Sequence, residues 1–438
     1  MRTSQSLPGG LPLLPRYKRF AYISALGALL LAFVSWRAMA QRVPEVPPVY
    51  RTLYATMSRE LDMFENTVRS LPDARQPHPL IFGADLSYAN NNAGPLLFTP
   101  RMQDLVKLEA DRFKEMGVGG VHVTLGWPQM SAAYDPDYEK YVAFYTSVAA
   151  ELRARHILFF LHNDIVFPKP FSRYDHPIPH IGFAEYKRDK RQMVQNLINT
   201  IHPDYLIVAS EPKSDANNSG ISELDESASS RELINYVING DGQAVGPLQK
   251  GTTLVGAGAD TWESTGFVEG YASIPNLDFI TIHVYPFGPK IQSALLSIVD
   301  IGHRHNKRMF IDEAWLYKSD KPREPQPEVY KRDMFSFFEP LDQRFLGLMA
   351  QFCRKEGIEF LSGFWTRNFF AYNDYHPGDE NRSFPDARRD LDEAARQALM
   401  NNTLSPLGEY YKSLATSARH SSLAPAVAPF YAWSPSKP

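Results

Sequence analysis

The amino-acid sequence predicts an α/β fold in which eight parallel strands close into a (β/α)8 barrel, the TIM barrel. Three observations support this. Eight apolar runs of strand length alternate with segments of helical periodicity, the runs lack strict alternation of apolar and polar residues, and the longest loops follow the strands. Non-alternating strands are expected in a parallel sheet that is covered on both faces. Eight such units in a chain of 438 residues are typical of one closed barrel.

The predicted strands share a high content of Ile, Val, Leu and Phe. They lie at residues 80–86, 118–125, 156–162, 205–210, 253–257, 279–284, 308–312 and 360–364. Each connecting segment has room for a crossover helix, and residues 102–116 and 291–303 carry apolar side chains at helical spacing. A further helix, leading into the barrel, is predicted from residue 49 to residue 71.

The connections at the two ends of the predicted strands differ in length. Helices run almost directly into strands, for example at Gly117 and at residues 306–307. The segments that follow the strands are long and polar or aromatic, at residues 164–182, 212–230, 317–330 and 367–389. Because the loops after the strands carry the active site of a (β/α)8 barrel, we expect the functional residues at the carboxyl ends of the strands.

The N-terminal 40 residues have the organisation of an export signal. Three cationic residues precede an apolar run at 20–35, and an Ala-Met-Ala sequence ends at Ala40. We expect a protein exported to the periplasm, the medium or the cell surface, either cleaved after Ala40 or anchored by residues 20–36. The predicted organisation is a signal or anchor at 1–40, a linker and helix at 41–78, the barrel at 79–417, and a tail rich in Pro, Ser and Ala at 418–438.

Composition excludes several classes of protein. Hydrophobic residues make up 44% of the chain, enough for a substantial core, so the chain is not disordered as a whole. The 46 Lys and Arg against 49 Asp and Glu leave a net charge of −3 and no basic field for nucleic acid. The single cysteine, Cys353, excludes an intramolecular disulfide and a multi-cysteine metal site. We expect a monomer with no cofactor and no nucleic-acid partner, in contact with a membrane only through the N-terminal anchor.

Carboxylate and aromatic side chains dominate the carboxyl ends of the predicted strands. Glu211 follows the fourth strand, and Glu313 follows the seventh. Two carboxylates facing each other suit glycoside hydrolysis, because one protonates the leaving oxygen while the other attacks the anomeric carbon or activates water. Carbohydrate is therefore the expected partner. The predicted substrate-binding residues are Asp85, Trp127, His162, Asn163, Ser210, His283, Tyr285, Trp315 and Trp365.

Two segments resemble the signature sites of the retaining (β/α)8 glycoside hydrolase clan, clan A. They are Ala-Ser-Glu-Pro, which contains Glu211, and Phe-Ile-Asp-Glu-Ala-Trp, which contains Glu313. The resemblance implies that Glu211 is the acid/base and Glu313 the nucleophile in the double-displacement cleavage of a β-linked poly- or oligosaccharide. It also implies that Tyr285 and Trp365 take the places of the clan's usual tyrosine and tryptophan. Residues 82–88 are similar to the first strand of the arabinogalactan endo-β-1,4-galactanase family.

Ser210 is a departure from the clan pattern. The clan usually has asparagine immediately before the acid/base, where it holds the sugar 2-hydroxyl. The shorter serine side chain weakens a contact that normally strengthens in the transition state. We therefore expect reduced efficiency or a different preferred sugar.

The two predicted catalytic groups need different environments. Glu211 must begin protonated, with a raised pKa, whereas Glu313 must be ionised, with donors such as Tyr285 nearby. Their carboxyl groups are expected to lie roughly 5–5.5 Å apart in a retaining enzyme and about 6.5–9.5 Å apart in an inverting one. Asp312, one residue before Glu313, is expected to point the opposite way from the strand and to be structural.

Two other interpretations stay open. His162 and His283, with Glu211 or Glu313, suggest a metal-dependent barrel hydrolase or isomerase, although no short His motif of a known metal site occurs. His122 is expected to be buried instead. A non-catalytic carbohydrate-binding barrel fits the export signal and the missing asparagine, since a fold does not fix a function.

Overall fold

Eight parallel strands close into a barrel in chain order. The computed structural model describes residues 45–72, 79–169, 171–285, 288–321 and 324–421. The barrel is closed by the pairing of its last strand with its first, in which Gly83 is opposite Ser362. The predicted (β/α)8 barrel is confirmed.

The strands overlap the eight predicted runs, with ends that shift by a few residues. The fourth strand is shorter than predicted, and the third and fifth continue further towards their carboxyl ends. The bounds are β1 (Ile81–Asp85), β2 (Gly120–Trp127), β3 (Leu158–Ile165), β4 (Tyr205–Ile207), β5 (Leu254–Asp260), β6 (Phe279–Val284), β7 (Arg308–Ala314) and β8 (Phe360–Gly363).

The helices surround the barrel, and the helix predicted before the first strand is present as α1 (Arg51–Ser70). The others are α2 (Pro100–Met116), α3 (Tyr138–Arg155), α4 (Phe183–Ile201), α5 (Pro212–Ser219), α6 (Ser227–Asn239), α7 (Gly266–Ala272), α8 (Pro289–Arg304), α9 (Gln326–Asp333), α10 (Glu339–Glu356), α11 (Phe384–Asn401) and α12 (Pro406–Ser421).

Tight turns connect the helices to the strands that follow them. Gly117 ends α2 with a φ of 84°, a left-handed conformation that glycine adopts without steric cost. His156 ends α3 in the same region, with a φ of 56°. Such caps reverse the chain within a few residues, and most of the long connections lie at the other end of the barrel, as predicted. Residues 240–253, between α6 and β5, form a long connection at the amino-terminal end.

Aromatic side chains fill the amino-terminal half of the barrel. The rings of Phe160 and Phe360 stack with centroids 3.8 Å apart, and Tyr205 stacks on the other side of Phe160 at 4.2 Å. Room for these rings comes from glycine, since a Cβ on Gly83 would lie 2.2 Å from the Phe360 ring. This packed layer closes the bottom of the barrel and leaves the upper layer for polar side chains.

The chain termini lie largely beyond the described part of the protein. The export signal expected at 1–40 is outside the described residues, as is the tail after residue 421. Within the described ranges, no helix combines the length and the apolar character needed to cross a membrane.

Candidate active site

Glu211 and Glu313 lie together at the carboxyl ends of their strands. One carboxylate oxygen of each belongs to a group of donor atoms, completed by a His283 ring nitrogen, that all lie within 4.8 Å of one another. The Glu211 side chain is 16% exposed and that of Glu313 is 7% exposed. The two carboxylates are therefore close, unequally sheltered from water, and bridged by one imidazole.

A β-bulge in β7 places two consecutive side chains inside the barrel. Ile311 pairs with Ile282 and Glu313 pairs with His283, so Asp312 is left without a partner residue on β6. Asp312 Oδ2 lies 2.9 Å from His162 Nε2 on β3, and Glu313 Oε1 lies 3.5 Å from His122 Nε2 on β2. The prediction that Asp312 points away from the site is wrong, because the bulge breaks the alternation on which it was based.

His283 contacts most of the acidic groups of the site. Its Nδ1 lies 3.0 Å from Glu211 Oε1 and 3.3 Å from Asp260 Oδ1, and its Nε2 lies 3.4 Å from Asp312 Oδ2. Burial opposes protonation of the ring, but the charges of Glu313 and Asp312 outweigh it and raise the pKa of His283 well above its usual range. The surrounding acidic groups therefore favour the imidazolium form of His283.

Three imidazoles cross the upper layer of the barrel. His162 lies between the other two, with ring centroids 5.0 Å from His122 and 5.8 Å from His283. Burial lowers the pKa of His122 well below its usual range, whereas the charge of Asp312 overcomes burial and raises the pKa of His162. His122 is fully buried, as predicted, and its Nδ1 lies 3.1 Å from Ser362 Oγ.

The two candidate catalytic groups hold their protons in the reverse of the predicted order. Burial, with repulsion from Glu211, raises the pKa of Glu313 to about 8 despite the attraction of His283. Burial also disfavours the Glu211 carboxylate, but the hydrogen bond and charge of His283 outweigh it, and the pKa of Glu211 is lowered. The prediction of a protonated Glu211 and an ionised Glu313 is therefore wrong for the free protein, because His283 contacts Glu211 more closely.

Asp85 belongs to the same layer of charged groups. Its Oδ1 lies 3.6 Å from His122 Nε2, and its Oδ2 accepts a hydrogen bond from Ser87 Oγ at 3.0 Å. Burial raises the pKa of Asp85 to about 6. Asp85 therefore lies in the buried layer that also holds Glu313, and its role in substrate binding stays a prediction.

Ser210 is buried, and its hydroxyl is already bonded. Its Oγ donates to Asp164 Oδ2 at 2.7 Å, and its backbone N–H donates to Asp164 Oδ1 at 3.0 Å. Through these two bonds to a residue of β3, Ser210 holds the backbone just before Glu211 in place. The hydroxyl hydrogen of Ser210 is therefore not available for the predicted hydrogen bond to a sugar hydroxyl.

Two predicted substrate-binding residues lie on the outer face of the barrel. Trp127 is fully buried, and its Nε1 donates to Asp189 Oδ2 on α4 at 2.9 Å. Asn163 is also buried, with its Nδ2 3.7 Å from Met193 Sδ on the same helix. Both predictions are wrong, because each residue comes one position after an inward-facing one in its strand.

The other predicted aromatic residues form one cluster beside the carboxylates. The Tyr285 ring is stacked 5.7 Å from His283, and Trp315 contacts Tyr285 at 5.4 Å and Trp365 at 5.5 Å. Trp315 is only 4% exposed, and its Nε1 donates to Asp333 Oδ1 at 2.7 Å, so it supports the cluster from behind. Tyr285 and Trp365 are partly exposed.

Two further aromatic residues of the site were not predicted. Trp262, 37% exposed, stacks on Tyr285 at 5.0 Å. Tyr330, on α9, contacts Trp365 at 5.3 Å, and burial followed by the charge of Glu211 raises its pKa above its usual range. Trp262 follows the observed end of β5 by two residues and the predicted strand end by five, so its place in the loop after a strand is a usable signal. Tyr330 lies in a helix after a long loop, and its position gave no such signal.

Two overlapping groups of side chains have donor atoms close enough to share a metal ion. His162, His283 and Asp312 form one group and are buried, and Glu211, His283 and Glu313 form the other. Imidazole and carboxylate ligands suit Zn²⁺ and other transition metals. The metal-dependent interpretation therefore keeps a structural basis.

Comparisons with known proteins find similarity at the level of the fold. No family model and no curated protein sequence matches the chain. The virulence factor SghA from Agrobacterium tumefaciens is similar over 81% of this chain and 99% of its own, with 12% identity and a TM-score of 0.46. A glycoside hydrolase family 5 enzyme from Prevotella bryantii B14 is similar over 72% and 96%, with 12% identity and a TM-score of 0.43.

A structure of fungal β-1,4-galactanases is similar over 72% of this chain and 98% of its own, with 14% identity and a TM-score of 0.40. At these identities the likeness concerns the barrel itself.

Proposed function

We propose that this protein is a retaining glycoside hydrolase that cleaves a β-linked poly- or oligosaccharide. The observation that carries the proposal is the pair formed by Glu211 and Glu313, whose nearest donor oxygens lie within 4.8 Å at the carboxyl ends of β4 and β7. Oxygen atoms within this limit are compatible with the roughly 5–5.5 Å between the carboxyl groups of retaining enzymes and are closer than the roughly 6.5–9.5 Å of inverting ones. Partly exposed aromatic rings beside the pair support a sugar as the substrate.

In the proposed mechanism Glu211 is the acid/base and Glu313 the nucleophile. Glu211 gives its proton to the glycosidic oxygen while Glu313 attacks the anomeric carbon, so the leaving sugar departs as an alcohol and a glycosyl ester forms on Glu313. Glu211 then removes a proton from water as the water oxygen attacks the same carbon and the ester bond breaks. Two inversions restore the original configuration.

The proposed mechanism requires a proton to move from Glu313 to Glu211 before the first step. His283 Nδ1 lies 3.0 Å from Glu211 Oε1 and 3.7 Å from Glu313 Oε2. The imidazolium can pass its Nδ1 proton to Glu211 and take one from Glu313, so that one proton crosses the pair and His283 ends in its original state. His283 is therefore proposed as a relay as well as an orienting group.

A reversed assignment of the two roles is supported by the proton order of the free protein. The pKa of Glu313 is raised to about 8 and that of Glu211 is lowered, which suits Glu313 as the acid and Glu211 as the nucleophile. Both assignments predict retention of configuration. They differ in which of the two glutamate variants an external nucleophile rescues by attack on a given face of the sugar.

The first experiment measures sugar release by the full-length protein from β-galactans, β-mannans, β-glucans and xylans. Turnover is expected on at least one glycan, and Glu211→Gln and Glu313→Gln should each reduce it by at least about a thousandfold. Glu328→Gln, an exposed residue of α9, is the matched control and should retain activity. Turnover that survives Glu313→Gln, or that is absent on every glycan, contradicts the proposal, and binding without turnover favours the carbohydrate-binding alternative.

Rescue by azide distinguishes the two role assignments. With an aryl β-glycoside of the sugar identified above, azide replaces a missing nucleophile and yields the α-glycosyl azide, whereas it replaces the water of the second step in an acid/base variant and yields the β-glycosyl azide. We expect the α product from Glu313→Ala and the β product from Glu211→Ala. The opposite pattern assigns the nucleophile to Glu211.

A metal-dependent hydrolase is the second candidate, favoured by the proximity of donor atoms on His162, His283 and Asp312. In that case a chelator abolishes turnover, added Zn²⁺ or Mn²⁺ restores it, and His162→Ala is inactive. Under the glycosidase proposal, chelator-treated protein keeps its full activity. A titration of activity with the chelator therefore separates the two candidate functions.

A further inference from the structure

Two arginine side chains share one carboxylate near the candidate active site, and the charge of a third arginine acts on one of them. Arg173 belongs to the segment after β3, Arg367 comes two residues after Trp365, and Arg388 is on α11. Arg367 Nη1 bonds to Asp392 Oδ1 at 2.7 Å, and Arg388 Nε lies 3.5 Å from the other oxygen of the same carboxylate. In the described part of the chain these three residues, called here the arginine cluster, have no other ion pair. One carboxylate therefore pairs with two of the three guanidinium groups.

The arginine cluster borders the aromatic side chains of the candidate active site. The Arg367 guanidinium carbon lies 5.2 Å from the centroid of the Trp365 ring. Arg388 lies 6.0 Å from the ring of Phe384, which in turn contacts Tyr330 at 5.8 Å. Since Tyr330 also contacts Trp365, Arg367 lies beside one of these two aromatic residues, and Arg388 is linked to the other through Phe384.

The positive charges of the cluster are only partly compensated. The side chains of Arg367 and Arg388 are 16% and 37% exposed, so each is partly shielded from water while its carboxylate partner is shared. Burial and then repulsion from Arg367, with a further contribution from Arg173, lower the pKa of Arg388. Like charges gathered at a partly buried site are costly unless an anion joins them.

We propose that the arginine cluster binds an acidic group of the substrate, so that the preferred glycan carries an anionic sugar. This inference rests on the proposed function and narrows its substrate class. The planar guanidinium fork pairs bidentately with a carboxylate, a sulfate or a phosphate, and partial shielding from water strengthens the pairing. The acidic sugar lies against Trp365 and Tyr330, on the side of the cleft formed by the segments after β3 and β8.

Matched disaccharides test the inference without turnover. Full-length Glu313→Gln protein is titrated calorimetrically with β-1,4-linked disaccharides of the gluco, galacto and manno series, each as a neutral, a uronosyl and a 6-O-sulfated form at the non-reducing unit. In at least one series we expect an acidic form to bind at least about tenfold more tightly than the neutral form. The uronosyl and sulfated arms identify which acid is preferred. Equal affinity for neutral and acidic forms in all three series, or no binding at all, overturns the inference.

Charge removal in the cluster has a matched control on the same helix. Arg388→Gln, added to Glu313→Gln, should abolish the preference for the acidic form. Arg389→Gln changes an adjacent arginine that is 70% exposed and paired with Asp386, and it should keep the preference. A preference that survives Arg388→Gln together with Arg367→Gln overturns the assignment of the site.

The failure of this inference can be told apart from the failure of the proposed function. Turnover of neutral glycans by the parent protein, with no preference for acidic disaccharides, contradicts the arginine site and supports the proposed hydrolase activity. A preference for acidic disaccharides without turnover of neutral or acidic glycans supports the arginine site and contradicts the proposed hydrolase activity.

Discussion

Glu211 and Glu313 differ chiefly in how closely His283 contacts them. The nearest contact is 3.0 Å for Glu211 and 3.7 Å for Glu313. Glu313 is also the less exposed of the two side chains. Because a carboxylate loses hydration on burial and regains stability from a cationic donor, the proton of the pair resides on Glu313 in the free protein. Any reaction that uses Glu313 as an anion must first move that proton.

The pH dependence of the protein's stability should reveal the ionisation of the buried Glu313. Its pKa of about 8 exceeds the ordinary value of 4.5, so its contribution to folding stability is intact below pH 4.5 and is lost as the pH rises through 8. Glu313→Gln imitates the neutral carboxyl group and does not incur this loss. We expect the melting temperature of the variant to exceed that of the parent by a growing margin, reaching a few degrees, between about pH 5 and pH 9. Differential scanning calorimetry over this range measures the margin.

The control for this measurement is Glu139→Gln, at an exposed position in the first turn of α3. Its melting temperature should follow that of the parent at every pH. A margin between Glu313→Gln and the parent that does not change with pH would mean that Glu313 ionises as easily in the folded protein as in the unfolded chain.

At the scale of single elements, β7 and the segment after it organise most of the site. The bulge at Asp312 turns Asp312 and Glu313 into the barrel together. Beyond the strand, the buried Lys318 ammonium pairs with Asp333 at the end of α9 and with Asp342 on α10. Asp333 also accepts a hydrogen bond from Trp315. The ion cluster thus holds the aromatic wall and α9, which carries Tyr330, in place.

Lys318→Met should destabilise the protein by about 3–5 kcal/mol, because it leaves two buried carboxylates without their cation. Burial already raises the pKa of Asp342 to about 7 with the lysine present. Lys321→Met, at an exposed position three residues later, is the matched control and should change the free energy of unfolding by less than about 0.5 kcal/mol. Urea denaturation at pH 7 measures both, and equal effects would argue against a structural role for the cluster.

At the scale of the whole molecule, α12 covers the seam where the barrel closes. The buried Tyr411 hydroxyl donates to the carbonyl oxygen of Gly83 on β1 at 2.7 Å and also lies 3.1 Å from the carbonyl oxygen of Leu361 on β8. It accepts a hydrogen bond from the Gly363 backbone N–H at 3.4 Å. One side chain of α12 therefore joins the first and last strands, which are far apart in sequence.

Tyr411→Phe should lower the free energy of unfolding by about 1–2 kcal/mol, since it leaves buried backbone groups at the seam without a partner. Tyr410→Phe is the matched control: Tyr410 is the preceding, half-buried tyrosine, and its loss of a hydroxyl should have a smaller effect. Thermal unfolding followed by circular dichroism compares the two variants. An equal or greater loss with Tyr410→Phe would contradict the role of Tyr411 at the seam.

The sequence by itself determined the barrel, the order of its eight units, and the positions of Glu211 and Glu313 at strand ends. These features depend on local patterns: apolar runs, helical spacing, and residues that directly follow a strand. The tertiary structure decided which neighbouring side chains face inwards, as for His162 against Asn163, and it alone revealed the bulge at Asp312. It also decided the proton order of the two glutamates and the assembly of the arginine cluster. Strand pairing, burial and charge act between residues that are distant in sequence, and only the folded chain brings those residues together.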